Sequence, residues 1–195
     1  TDTEAQTSNV RTSVKVGFTL GAAAKTYSKI DATTVAVGDF LVAGVAPSSV
    51  AVNAAGNAIY LGVAEQATDA KPKVELTGEI SDKAGNKRTS GKVDTATDKL
   101  NPVLTVAVTP GITKEKVTIT VQSSETLNAA PTVTTATNTA FNEQAGTPAV
   151  TATGVNSWKA EQTAVASEAS KFWIKVLGTD IAANAETLGD LLTAG

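Results

Sequence analysis

Residues 74–102 read VELTGEISDKAGNKRTSGKVDTATDKLNP, and the fold of the chain follows from how this stretch is parsed. Val74, Leu76 and Ile80 are apolar in an alternating run, the period of a half-buried strand. The run breaks at residues 81–86. Gly85 and Asn86 tolerate positive φ there, and the Asp82 carboxylate is placed to accept from nearby backbone N–H groups. Residues 87–93 read as a short polar strand. Residues 94–101 carry no apolar periodicity, and Pro102 marks a new start. The stretch is expected to be the last hairpin of one domain, a linker, and the entry to a second domain.

The composition agrees with β-structure. Of 195 residues, 42% are hydrophobic but only 4% aromatic, so Val and Ala carry the apolar content, with many Thr beside them. The β-branched Val and Thr fit a pleated, half-buried surface. Gly, Pro and Asn are dispersed as turn punctuation. Cys is absent, which excludes a disulfide framework and thiolate chemistry. A chain of this size buries enough surface to do without bridges. His is absent too, and with it the usual nucleophile–base pairs. The net charge of −3, with both signs interspersed, argues against nucleic acid as a partner and against a basic membrane-surface helix. No apolar run reaches the length of a transmembrane segment. A chain that begins at Thr1 without Met is read as either processed or a fragment, with a removed signal peptide as the natural expectation.

Outward from the opening stretch, short strands alternate with turns. Residues 12–20 alternate with Val14, Val16, Phe18 and Leu20 on one face. A weak strand is expected within residues 27–37, then strands at 39–45, 50–52 and 58–63. In the second half, residues 103–108 alternate through Leu104, Val106 and Val108. Residues 117–123 set Val117, Ile119 and Val121 inward. Strands are also expected at 132–137, 149–153, 157–160, 172–177 and 185–188, with a polar loop at 138–147 and a short helical turn within 163–170. Residues 172–177 are apolar on both faces, which fits a central strand. Many short strands with regular turn signals point to a sandwich or barrel.

An internal repeat divides the chain. Asp82-Lys83-Ala84-Gly85-Asn86 matches Asp180-Ile181-Ala182-Ala183-Asn184, about one immunoglobulin-sized domain later. Around these turns the sequence resembles the immunoglobulin-like (Big-type) repeat modules of bacterial and archaeal cell-surface, surface-layer and adhesin proteins. KPKVELTGEISDKAGNK (71–87) looks like the closing segment of such a module. VTITVQSSETLNAAPTVT (117–134) looks like the opening of the next, and FWIKVLGTDIAANAE (172–186) resembles the usual closing strand and turn. DFLVAGVAPSSV (39–50) and AIYLGV (58–63) are similar as well. The chain departs from the family at Ala183, where Gly is usual. The resemblance implies an all-β chain of two tandem immunoglobulin-like β-sandwich domains, residues 1–96 and 97–195, in a secreted, extracellular protein of the cell surface.

Candidate chemistry is sparse. Glu65, Asp69, Glu75 and Glu79 are spaced for strand edges and turns, so an enzyme is not expected. Calcium is the one plausible ion. Asp94, Asp98 and Asn101 would offer hard oxygen ligands in the linker, with Asp82 or Asp180 contributing from adjacent turns. The plainer account is that these residues cap their own turns. Tyr27, Tyr60, Trp158 and Trp173 could stack on a cell-surface glycan, although core packing is the commoner use of so few aromatics. Self-association is the favoured role. Residues 118–122 and 132–137 are nearly uncharged strands that would expose unblunted sheet edges, and the arm 1–11 or the tail 188–195 could add a strand to a neighbouring copy.

Overall fold

A computed structural model describes residues 10–18, 28–110, 116–137, 140, 144–163 and 173–192. The described residues are all-β, with no α-helix, and no helix is long and apolar enough to cross a membrane. The chain separates into two compact units, Thr1–Leu100 and Asn101–Gly195. The Leu20 end of the first strand, Tyr27, the arm 1–9 and the Ala-rich segment 164–172 lie outside the described residues, as does the tail 193–195.

In the first unit two three-stranded sheets share one core. The first has β1 (Ser13–Gly17), β4 (Ala58–Gly62) and β3 (Ser49–Val52) in the order β1-β4-β3. The second has β2 (Phe40–Val42), β5 (Lys73–Leu76) and β8 (Lys92–Thr95) in the order β2-β5-β8. Val14, Ile59 and Leu61 from one sheet meet Phe40, Val42 and Leu76 from the other, with Ile30 and Ile80 beside them. The AIYLG run of β4 is buried along almost its whole length because β4 is central in its sheet.

Three expectations change here. Of the strand expected within 27–37, the described residues 28–37 form none beyond an isolated bridge at Ile30; a 3₁₀ turn follows at Ala32–Thr34. Asp31 starts that turn by accepting from the Thr33 N–H, which competes with strand pairing. The strand expected at 39–45 stops at Val42. Ala43 and Gly44 both take positive φ and fold Val45 back onto Val42. The linker begins later than drawn, because Asp94 and Thr95 complete β8 opposite Val74 and Lys73. The polar stretch before it splits into β7 (Lys87–Arg88), which closes a hairpin with β6 (Ile80–Ser81), and β8 itself.

The second unit has two four-stranded sheets. One runs β13-β14-β10-β9, from β9 (Leu104–Pro110), β10 (Lys116–Ser123), β13 (Val150–Gly154) and β14 (Ser157–Thr163). The other runs β12-β11-β15-β16, from β11 (Thr132–Ala136), β12 (Gln144–Gly146), β15 (Trp173–Thr179) and β16 (Ala185–Leu192). Leu104, Ile119, Val121, Trp158 and Ala160 of the first sheet pack against Val133, Ile174 and Val176 of the second. Sheets facing each other over a shared apolar layer are the arrangement of a β-sandwich.

β15 is central, as its apolar character suggested, but only one of its faces is covered: Ile174 and Val176 are fully buried, whereas Leu177 is 41% exposed. β12 occupies part of the expected polar loop. The larger correction concerns edges. β10, which contains residues 118–122, lies between β14 and β9. β11 lies between β12 and β15, although β12 covers only its Thr135–Ala136 end. Low charge in residues 118–122 therefore reflects an interior position, whereas residues 132–134 of β11 keep one side that no described strand covers.

Candidate functional site

The repeated turns supply the first element of the site. In the first, the Asp82 N–H donates to the Asn86 carbonyl, and the Asn86 N–H returns to Asp82 Oδ1 at 2.8 Å. The Asn86 side-chain amide donates to Asp82 Oδ2 at 2.9 Å. The second turn has the same bonds: Asp180 N–H to the Asn184 carbonyl, Asn184 N–H to Asp180 Oδ1 at 2.8 Å, and Asn184 Nδ2 to Asp180 Oδ2 at 2.8 Å. Position four is left-handed in both, with φ +81 at Gly85 and +69 at Ala183. The departure from glycine at Ala183 has not changed the turn. Asp82 has its carboxyl held below the ordinary value, chiefly by the Asn86 side chain.

The two turns differ in burial. Asp82 is partly exposed, whereas Asp180 is only 1% exposed. A loop clasps each one: Ile30 bridges to Asp82, and Leu127 to Asp180. The second clasp is reinforced by the Asn128 N–H donating to the Thr179 carbonyl at 2.8 Å. It brings the turn after β10 onto the end of β15. Ser124 anchors the other side of that turn, exchanging hydrogen bonds with Val103 through its backbone N–H and its hydroxyl. Glu125 is carried between these two anchors and is buried, with 7% of its surface exposed.

Asp98 supplies the third carboxylate. It precedes Asn101 by three residues, and Asn101 is tied to the start of β16 through its side-chain amide and Glu186 Oε2, 3.2 Å apart. Asp98 Oδ1 accepts from the Leu100 N–H at 3.1 Å, and the residue is 6% exposed. One carboxylate oxygen from each of Asp98, Glu125 and Asp180 lies within 4.8 Å of the other two. No other cluster of three or more metal-ligating side chains occurs among the described residues.

Of the three linker residues singled out from sequence, only Asp98 belongs to this cluster. Asp94 is exposed on β8, its Oδ1 accepting from the Thr95 N–H, and Asn101 uses its amide on Glu186. Asp180 joins from its turn, whereas Asp82 does not. Glu125 was not marked, since a lone Glu in a polar turn gives no sign of burial until Leu127 pairs with Asp180. The capping account also holds in part, because Asp82, Asp94, Asp98 and Asp180 all accept local backbone N–H groups.

The remaining candidates are scattered. Glu65 pairs with Arg11 and Glu79 with Lys87, Glu75 sits on β5, and Asp69 lies in an exposed turn. Tyr60 and Trp158 are core residues of different units, at 2% and 9% exposure, so neither presents a ring face to a sugar. Hard carboxylate oxygens in a buried cluster suit a calcium ion, which takes about six to eight oxygens and would complete its shell with carbonyls or water. Desolvated carboxylates this close repel one another, and a divalent cation offsets that repulsion. No protein-family model matches the chain, and searches of curated proteins and of solved structures return no significant match.

Proposed function

We propose that this chain is a non-enzymatic structural protein of the cell exterior, built from two tandem immunoglobulin-like sandwiches, that assembles with copies of itself into a layer or filament. The observation that carries the reading is the second unit's pair of open sheets, each ending in strands with one side that no described strand pairs with. The strand orders β13-β14-β10-β9 and β12-β11-β15-β16 support the immunoglobulin part. In chain order they correspond to D-E-B-A packed on C′-C-F-G, the arrangement of that fold. The first unit supports it less directly. It has two sheets over one core and the same closing turn, but a different strand order. Electron microscopy of the concentrated protein tests the reading. Lattices or filaments are expected; a protein that stays dispersed but binds glycans would instead be an adhesin.

A second reading concerns the connector and is favoured by the convergence of Asp98, Glu125 and Asp180. Calcium bound there would offset the mutual repulsion of the three carboxylates and add to the stability of the residues that hold them. Melting temperature followed against added calcium and chelator tests it.

A further inference from the structure

We propose that β9 pairs with β9 of a second copy, antiparallel about a twofold axis at Val106, so that the β13-β14-β10-β9 sheet continues into the partner's. The inference rests on the self-association reading and names the edge, the partner and the register.

The direction of the backbone groups follows from the hydrogen bonds at the strand's start. Val103 accepts from the Ser124 N–H and donates to the Ser124 hydroxyl, so its backbone groups face β10. Alternate residues of a strand point their N–H and C=O to the same side. Thr105, Ala107 and Thr109 therefore also face β10, opposite Gln122, Thr120 and Thr118. Leu104, Val106 and Val108 point theirs to the other side, where no described strand pairs with β9. A row of unpaired donors and acceptors is a template for another strand.

The other long edge strands are charged or bulged, the remaining edges are short, and the part of β11 beyond β12 is only residues 132–134. β8 carries Lys92 and Asp94, and the Asp94 carboxylate takes the Thr95 N–H. It also enters its sheet through a bulge: the Gly91 N–H bonds Leu76, the residue that Lys92 already opposes. β16 carries Glu186, β1 carries Lys15, and β13 is bulged between Ala152 and Gly154. β2, β3 and β12 have only three or four residues. β9 has seven residues, LTVAVTP, with no charge and no bulge.

The occupant is a second copy because β9 complements itself. An axis at Val106 engages every outward N–H and C=O of Leu104, Val106 and Val108: Val106 faces Val106, and Leu104 faces Val108, in each copy. The core-facing apolar row is then continuous across the junction. On the solvent face, Thr105 opposes Ala107 of the partner copy and Val103 opposes Thr109. No charge meets a like charge, and Val103, otherwise 49% exposed, is covered.

The register gives a direct test on the full chain. Thr105 and Ala107 are exposed, so substitutions there leave the core alone, and thermal melting checks that each variant folds. In T105K/A107K each lysine meets a lysine of the partner; in T105K/A107E each lysine meets a glutamate. Sedimentation equilibrium should find a wild-type dimer, dimerisation of the double-lysine variant weakened at least about tenfold, and dimerisation of the lysine–glutamate variant near the wild-type level. Association of both variants at the wild-type level overturns the β9 assignment while leaving self-association standing. Weakening of both variants alike overturns the axis at Val106. A wild-type chain that remains monomeric at the highest soluble concentration overturns this proposal and the association reading together.

Discussion

Ala183 offers the sharpest test of the repeated turn. It is an L-residue held at φ +69 where the equivalent position of the first turn is Gly85, at +81. The left-handed region costs a residue with a Cβ about 1–2 kcal/mol. Replacing it with glycine removes that cost but returns roughly 0.5–1 kcal/mol of entropy to the unfolded chain. Ala183→Gly should therefore stabilise the second unit by about 0.5–1 kcal/mol, raising its melting temperature by about 2–8 °C for a unit of this size. Gly85→Ala is the mirror experiment. A Cβ built at Gly85 meets nothing within 4 Å, so the loss there would report backbone strain and not a clash. Differential scanning calorimetry of both variants gives the answer. If Ala183→Gly is neutral or destabilising while Gly85→Ala is clearly destabilising, the two turns do not share a backbone conformation and the repeat is one of sequence only.

Two further outcomes follow from the same turns. Asp82 has its folded pKa lowered from 3.8 by hydrogen bonds, the Asn86 side chain first. Its stabilisation is thus complete above the ordinary carboxylate value and is lost as pH falls through the depressed one. The melting-temperature advantage of wild type over Asp82→Asn should be level near neutrality and shrink below about pH 4; an advantage that stays constant down to pH 2 contradicts this. For the buried carboxylates, calcium at a hundred times its dissociation constant should add about 2.7 kcal/mol to the second unit's stability. Glu125→Gln should remove most of that gain, and a wild-type melting curve indifferent to calcium and chelator sinks the ion reading.

Local features were legible in the sequence and long-range pairing was not. The alternation in β10 and the run of β4 are read from neighbours two residues apart, and Ile119, Val121, Ile59 and Leu61 are core residues as that period implies. The turns at Asp82 and Asp180 were visible because Asp and Asn bond their own backbone. Whether a strand lies at an edge depends instead on partners dozens of residues away. Low charge alone does not separate an edge from an interior strand: residues 118–122 lie inside their sheet, while β9, equally uncharged, is where the described pairing stops. The acidic cluster shows the same limit. Asp98 and Asp180 read as turn residues with oxygen ligands, but Glu125 reaches them only through the Leu127–Asp180 bridge, which no local pattern announces. In the first unit the described residues 28–37 differ from the expected weak strand, because the Asp31 side chain favours a 3₁₀ turn.

The account stands or falls on association of the intact chain with itself. Light scattering across a wide concentration range, at low and physiological salt, measures it directly. The expected result is a mass that rises with concentration from single chains to dimers and larger assemblies, with little dependence on salt because the β9 edge is uncharged. A mass fixed at that of one 19.7 kDa chain at every concentration would contradict it.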